Sequence, residues 1–426
     1  MGDLACSPRS SFHRFWAAAA ISSFGSAATA AAMPVLVVQV LGATPFEVGV
    51  VSAAQFVPYA ALGLIAGVYA DRWRRKPILV WASIGRALSL GAVPALWLTG
   101  VLQIWTLVIA LLSFGAFSVF GFAATQSLLP RLVPRAGLVT ANARLDQTDA
   151  AATTLGPAIG GGIVGLFGAP MTVALDAISY VVDAALIASI LVDEPRPKAR
   201  ARNLRAEIRD GLRWTYRHRT LGPLAVSTHV WFLANGVAMT VLSLLALRSL
   251  GFTAYMFGAL LAVFGVTSLV GASIAPWCGG WIGSRRVIIA ARVAYPITWL
   301  LVAVAPATDV GAALLFVALA LQGLAAGTEN SNEMGFWQAL TPDELLGRVN
   351  ATRRSINRTT AALGALIAGL LAGHIGNRLT LVCTVFVFVV AALAAALSPP
   401  GDAPRAVDDR RHSGLHKETP GHQVKR

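Results

Sequence analysis

Apolar runs of roughly 20 or more residues recur along the whole of this chain, and they leave very few folds open. A run of about that length crosses the hydrocarbon of a bilayer as a helix. Only helices and closed barrels can satisfy their backbone in lipid. The strands of a membrane barrel alternate apolar and polar residues, and these runs do not. Twelve spans can be read: Phe15–Leu41, Pro45–Ala70, Pro77–Thr99, Ile104–Leu128, Ala141–Phe167, Pro170–Val192, Leu221–Leu247, Ala254–Gly280, Val287–Ala305, Val310–Gln338, Val349–His374 and Leu379–Leu397. Only 13% of the 426 residues are charged, against about 25% in a soluble protein. The expected fold is an all-α membrane protein of twelve transmembrane helices. Arg9 and Arg14 precede the first span, as in a signal peptide, but Phe15–Leu41 is too long for a signal core and reads as a retained first helix.

The formal net charge of +14 suits a nucleic-acid partner only if it gathers on one soluble face, and here it does not. Basic residues fall in alternate connections. One set holds "RWRRK", Arg131 and Arg135, nine basic residues from Arg196 to Arg219, Arg285 and Arg286, then Arg348, Arg353, Arg354 and Arg358. The opposite connections contribute Arg378, with Arg248 nearby. The positive-inside rule then places both termini in the cytoplasm of a cell membrane. Residues 193–220 form a basic cytoplasmic linker opening on "DEPRPKAR". It separates a six-helix bundle over residues 15–192 from a second over 221–397, after a short N-terminus of residues 1–14. The polar, Pro-containing tail, 398–426, reads as disordered.

An internal repeat supports the division. At an offset of 208 residues, Pro134 meets Pro342, Asn142 meets Asn350, and Gly156, Gly161, Gly165 and Gly168 meet Gly364, Gly369, Gly373 and Gly376. Small-residue packing common to membrane helices is one explanation. Two homologous halves in parallel orientation, with a path between them, is the other.

Two motifs stand out. In "GVYADRWRRKP", Gly67, Asp71, Arg72, Arg75 and Lys76 crowd one short connection. The stretch resembles the loop between the second and third helices of the major facilitator superfamily, with Tyr69 and Arg74 departing from that pattern. "GGWIGSRR" echoes it in the second half without the aspartate. The resemblance implies a cytoplasmic gate, in which a carboxylate at a helix end holds an arginine or a helix N-terminus in one state and releases it in the other. Plain topogenic charge is the alternative. The second motif is "LGPAIGG": Gly156, Pro157, Gly160 and Gly161 resemble the core of the antiporter motif of drug-exporting branches. Its two upstream glycines are Ala143 and Ala152 here. Ordinary close packing is the competing explanation. From Phe15 to about Leu397 the chain is similar to the branch of enterobactin exporters and macrolide-efflux proteins. That branch often carries an acid after "SSFG", where Ser26 stands, and the fourth span lacks the arginine of many proton-coupled exporters.

Charge within a span costs roughly 2.5–3.5 kcal/mol on insertion scales and calls for a reason. Asp176 and Asp183 lie two turns apart on the sixth span and are candidates to carry protons. Glu329 and Glu333, beside Asn330 and Asn332, form the most polar patch of any span, either in the path or in a solvated vestibule. His229, Trp231 and Asn235 bring polar and aromatic groups to the seventh span, where a packing histidine is the plainer alternative. Arg86 and Arg292 follow basic loops and are expected to snorkel toward the cytoplasm, Arg86 being deep enough to serve as a cavity cation. Asp146 and Asp149 are expected in the first turn of the fifth helix, favoured by its dipole.

No nucleotide-binding P-loop, nucleophile elbow or zinc pair is present, so direct ATP drive and hydrolytic chemistry are not expected. Cys6, Cys278 and Cys383 are scattered, with no metal-ligand spacing. No cofactor, metal or nucleic acid is implied. The expectation is a monomeric secondary transporter that exports a small hydrophobic or amphipathic molecule through alternating access, with protons as the coupling ion. An uptake symporter of the same architecture is one alternative; a membrane receptor or integral membrane enzyme is another.

Overall fold

The computed structural model describes residues 8–134, 137–192, 194 and 204–399. Among them twelve helical segments are long and apolar enough to cross a membrane. The first half contains α1 (Pro8–Val35), α2 (Pro45–Ala54), α3 (Val57–Arg72), α4 (Arg75–Leu98), α5 (Ile104–Leu132), α6 (Leu138–Phe167) and α7 (Ala169–Ala188). The second contains α9 (Leu221–Leu244), α10 (Ala254–Ile282), α11 (Ser284–Val304), α12 (Asp309–Leu340), α13 (Asp343–Ile375) and α14 (Asn377–Ala396). Between them lies α8 (Leu204–Arg217). Residues 193, 195–203 and the tail from 400 onward, where disorder was expected, lie outside the described residues.

The second span is not one helix. α2 and α3 are separated at Gln55 and Phe56, where the Phe56 N–H donates to the Ala53 carbonyl at 2.9 Å. Pro58 explains the break. It has no N–H for the Ala54 carbonyl, and it sits in the first turn of α3, where a proline's missing N–H costs nothing.

The two halves repeat each other in detail. α1 ends in a π-helical turn, Leu36–Val40, and α9 ends in another, Leu245–Ser249. Each is followed by a left-handed glycine, Gly42 at φ 61° and Gly251 at φ 66°. Thr44 then caps α2 and Thr253 caps α10, each accepting from the backbone N–H three residues on. These features keep a constant offset of 209 residues, and the signal was legible in "LGAT" and "LGFT".

Glycines set the seam between the halves. A Cβ at Gly161 on α6 would lie 3.0 Å from the Cα of Gly258 on α10, and a Cβ at Gly258 would lie 2.9 Å from the Cα of Gly161. Across the molecule a Cβ at Gly49 on α2 would lie 3.0 Å from the Cα of Gly369 on α13. Gly161 and Gly369 are repeat partners, and so are Gly49 and Gly258. The two contacts therefore exchange under an approximate two-fold axis along the membrane normal, as expected for parallel repeats.

The apolar core differs at the two ends of the bundle. At the end away from the termini one cluster joins both halves, from Val35, Leu36 and Val38 to Leu242, Leu245 and Phe252. There Gln39 donates to the Phe252 carbonyl at 2.9 Å and Arg248 to the Ala43 carbonyl at 2.7 Å. At the end carrying the termini each half keeps its own cluster. One includes Phe15, Leu79 and Ile190; the other includes Leu221, Ile288 and Trp337. Outward-facing Trp81, Leu88, Leu166 and Phe386 are exposed, which in a bilayer is the lipid face.

The connection between the halves is more than a spacer. α8 lies on the second half, with Trp214 against the Leu221 and Trp337 cluster. Arg348 of α13 reaches Asp210 at 3.4 Å. Gly211 allows the approach: a Cβ there would sit 3.1 Å from the Arg348 carbonyl oxygen.

Candidate functional site

Each half sets one arginine from its third span beside an acid. In the second half this is Arg292 of α11, 2% exposed. Its Nε lies 2.6 Å from a Glu329 oxygen, and its Nη2 donates to Glu333 at 3.2 Å and to the Thr228 hydroxyl at 3.1 Å. Arg353 of α13 donates to the other Glu333 oxygen at 2.6 Å, and its guanidinium lies 3.8 Å from the Trp337 ring centre. The Tyr295 hydroxyl donates to Glu329 at 2.6 Å. Glu329 and Glu333 thus belong to a buried two-cation, two-anion network, not to a solvated vestibule. The snorkelling expected of Arg292 does not occur. Two carboxylates one turn apart on the adjacent α12 are a nearer partner than the interface, and leaving them unpaired in a dry bundle would cost several kcal/mol.

In the first half Arg86 of α4 also stays inside. It lies 4.5 Å from the Tyr180 ring centre and 4.0 Å from Asp183, and donates to the Ser83 hydroxyl at 3.0 Å. Asp183 accepts from Ser83 and, at 3.4 Å, from Ser22. Tyr180 pairs with Ser26 at 2.7 Å, so the position that often carries an acid in the resembled branch serves here to hold a phenol. Asp176 is 1% exposed. One of its oxygens accepts from Ser179 at 3.1 Å; the other has no hydrogen-bond partner. It lines a cavity of about 220 Å³ between α1, α2, α5 and α7, with Ser243 of α9 reaching in from the other half.

The remaining seventh-span residues divide. Trp231 packs 5.3 Å from the Tyr295 ring and 5.3 Å from the Arg292 guanidinium, at the edge of the ionic network. Asn235 meets Gln322 at 3.5 Å. His229 is a clamp: one ring nitrogen meets Tyr216 of α8 at 2.8 Å and the other meets Asn357 of α13 at 2.6 Å. Neither Asp146 nor Asp149 lies in a first turn, because α6 begins at Leu138. Asp149 accepts instead from Ser23 of α1 at 3.4 Å.

Comparison with known proteins bears on this arrangement directly. The family model described as transmembrane secretion effector matches residues 2–413. The chain belongs to this family of major facilitator superfamily transporters. The multidrug efflux pump Tap of Mycolicibacterium fortuitum is 26% identical over 398 residues, covering 90% of this chain and 94% of Tap. In fold, the nucleoside transporter NupG superimposes with a TM-score of 0.73 at 12% identity, covering 91% of this chain and 98% of NupG. A bacterial homologue of the iron transporter ferroportin, in an inward-facing state, gives 0.68 at 15% identity, covering 91% and 98%. Family and relatives are transporters, which removes the receptor and enzyme alternatives.

In this transporter the loop motif is tied to a residue that sequence reading missed. Gly67, Asp71 and Arg72 close α3, but their surroundings lie outside the described residues. At the start of α4, the backbone N–H groups of Arg75 and Lys76 donate to the two carboxylate oxygens of Glu194, at 2.6 and 2.9 Å. The Lys76 ammonium donates to the Ile190 carbonyl at 2.8 Å. A carboxylate at a helix N-terminus satisfies orphan donors and the helix dipole together. The available signal was the acidic pair Asp193 and Glu194, placed between the sixth span and the basic run that follows it.

The transporter's "LGPAIGG" is a packing motif in this conformation. Gly156 sits against Ala27; a Cβ at Gly160 would lie 2.6 Å from the Ala28 backbone, and one at Gly161 would lie 2.8 Å from the Ala254 carbonyl oxygen. It presses α6 onto α1 within its half and onto α10 across the seam.

Proposed function

We propose that this transporter exports a small hydrophobic or amphipathic molecule, in the class of drugs, natural products and siderophores, by alternating access against a proton gradient. Kinship with a multidrug efflux pump along nearly the whole chain is the observation that carries the export direction. Alternating access is supported by the uneven apolar packing: one large cluster joins the halves at the end away from the termini, while the other end keeps a separate cluster in each half. The excess of basic residues favours a cytoplasmic position for the end carrying the termini. The buried acids Asp176, Asp183, Glu329 and Glu333 are the groups available to carry protons. The chain works as a monomer, each half supplying one side of the path.

Accumulation of a panel of toxic amphiphiles and siderophores in cells with and without the protein tests the direction. Lower accumulation supports export; higher accumulation makes it an uptake symporter. In vesicles with an imposed pH gradient, Asp183→Asn is expected to lose gradient-driven transport, and an unchanged rate acquits Asp183. Asp71→Asn is expected to slow turnover with membrane insertion intact; a wild-type rate removes the gate role of the loop.

A further inference from the structure

We propose that the cavity beside Asp176 is a subsite for the ammonium group of a monocationic substrate. The proposal deepens the export reading and rests on it only for the direction of movement.

The two halves differ in the balance of their interior charges. In the second half Arg292 and Arg353 balance Glu329 and Glu333 within one network. The interior of the first half holds Arg86 against Asp183 and Asp176. Arg86 is committed to Asp183, to Ser83 and to the Tyr180 ring. Asp176 has no ion pair among the described residues. One arginine cannot neutralise two buried carboxylates, so the interior of the first half must take up a proton or a positive charge.

Geometry favours a ligand that supplies the charge. The Asp176 oxygen without a hydrogen-bond partner belongs to a residue lining the cavity, and the Thr29 hydroxyl lies close to the same carboxylate. The rest of the lining is mostly apolar, with Met33, Leu111 and Phe114 among it and Ser26, Ser52, Gln55 and Ser243 as its polar members. A carboxylate and an aromatic ring in an apolar enclosure recognise an organic ammonium, not a hydrated metal ion. The 220 Å³ exceeds the roughly 150 Å³ that holds benzene and falls short of the roughly 300 Å³ at which drug-sized sites begin. It fits one ring and a short amine arm of a larger molecule. Ser243 comes from the other half, so such a ligand touches both moving bodies.

Calorimetric titration of the purified full-length protein in lipid nanodiscs, at one fixed pH, tests this with three probes of equal size: 4-phenylbutylamine, 4-phenylbutanol and 4-phenylbutyrate. The wild type is expected to bind the amine about tenfold more tightly than the alcohol, the gain of one charge-assisted contact, and to bind the acid weakest. Asp176→Asn is expected to keep its affinity for the alcohol and lose the preference for the amine; Asp176→Glu is expected to retain it. Equal wild-type affinities for amine and alcohol overturn the proposal without any variant, and so does a preference that survives in Asp176→Asn. Amine accumulation in cells is read separately. Selective binding without lowered accumulation leaves the subsite standing and removes the export reading.

Discussion

Gln39 and Arg248 do the same work from opposite halves: each donates its side chain to the backbone carbonyl that follows the other's π-helical turn, Gln39 to Phe252 and Arg248 to Ala43. Both donors and both acceptors are 209 residues apart. The pair closes the end away from the termini, and both bonds must break for that end to open.

Removing either donor should therefore favour the state open at that end. A neutral hydrogen bond contributes about 1 kcal/mol and one from a charged donor about 1.5–3 kcal/mol, so Arg248→Ala should shift the balance more than Gln39→Ala, and the double variant most. With the native cysteines replaced, a cysteine substituted for cavity-lining Ser243 reports the shift. Its reaction with a membrane-impermeant thiol reagent, added on that side, should quicken in the same order. Unchanged reactivity in the double variant refutes the latch.

Arg292 should be more sensitive to loss of charge than to loss of the whole pair. Arg292→Met strands Glu329 in the interior and should lower stability by about 3–5 kcal/mol, read as a drop in melting temperature. Adding Glu329→Gln restores neutrality and leaves the Glu333–Arg353 bond at 2.6 Å in place. The double variant should melt above the single one. A double variant less stable than Arg292→Met contradicts the assignment of the network.

The repeated glycines should not be equivalent. A Cβ at Gly161 would meet the Ala254 carbonyl at 2.8 Å and one at Gly369 the Pro45 carbonyl at 2.7 Å, while Gly165 and Gly373 have nothing within 4 Å. Gly161→Ala and Gly369→Ala should impair transport with normal insertion. Gly165→Ala and Gly373→Ala should transport normally, and a matching loss there would mean that the seam is not what the glycines serve.

His218 should give stability a pH dependence. Its Nδ1 accepts from the backbone N–H groups of Thr220 and Leu221 at 3.2 and 3.1 Å, which requires the neutral ring. Partial burial pushes its pKa below the usual histidine value. The folded state therefore prefers neutral His218. Its contribution is complete above the unfolded pKa of about 6.5 and is lost as pH falls through the lower folded value. The melting temperature of the wild type should fall more than that of His218→Asn between pH 7.5 and 5.5. Parallel curves would remove His218 as the cause.

The sequence by itself determined the twelve crossings, because hydrocarbon forces every backbone group into a helix and the apolar runs are long enough to show where. It also determined the two-fold repeat, through glycines and turn residues whose spacing survives in the chain. Only the tertiary structure decided what the interior charges do. Arg86 and Arg292 looked like snorkelling residues because a linear reading sees the nearest basic loop but not the carboxylate on the helix alongside. The same holds for Glu194, which meets α4 across more than a hundred residues, and for Asp176. Burial and pairing are properties of neighbours, and neighbours from distant spans are fixed only when the helices pack.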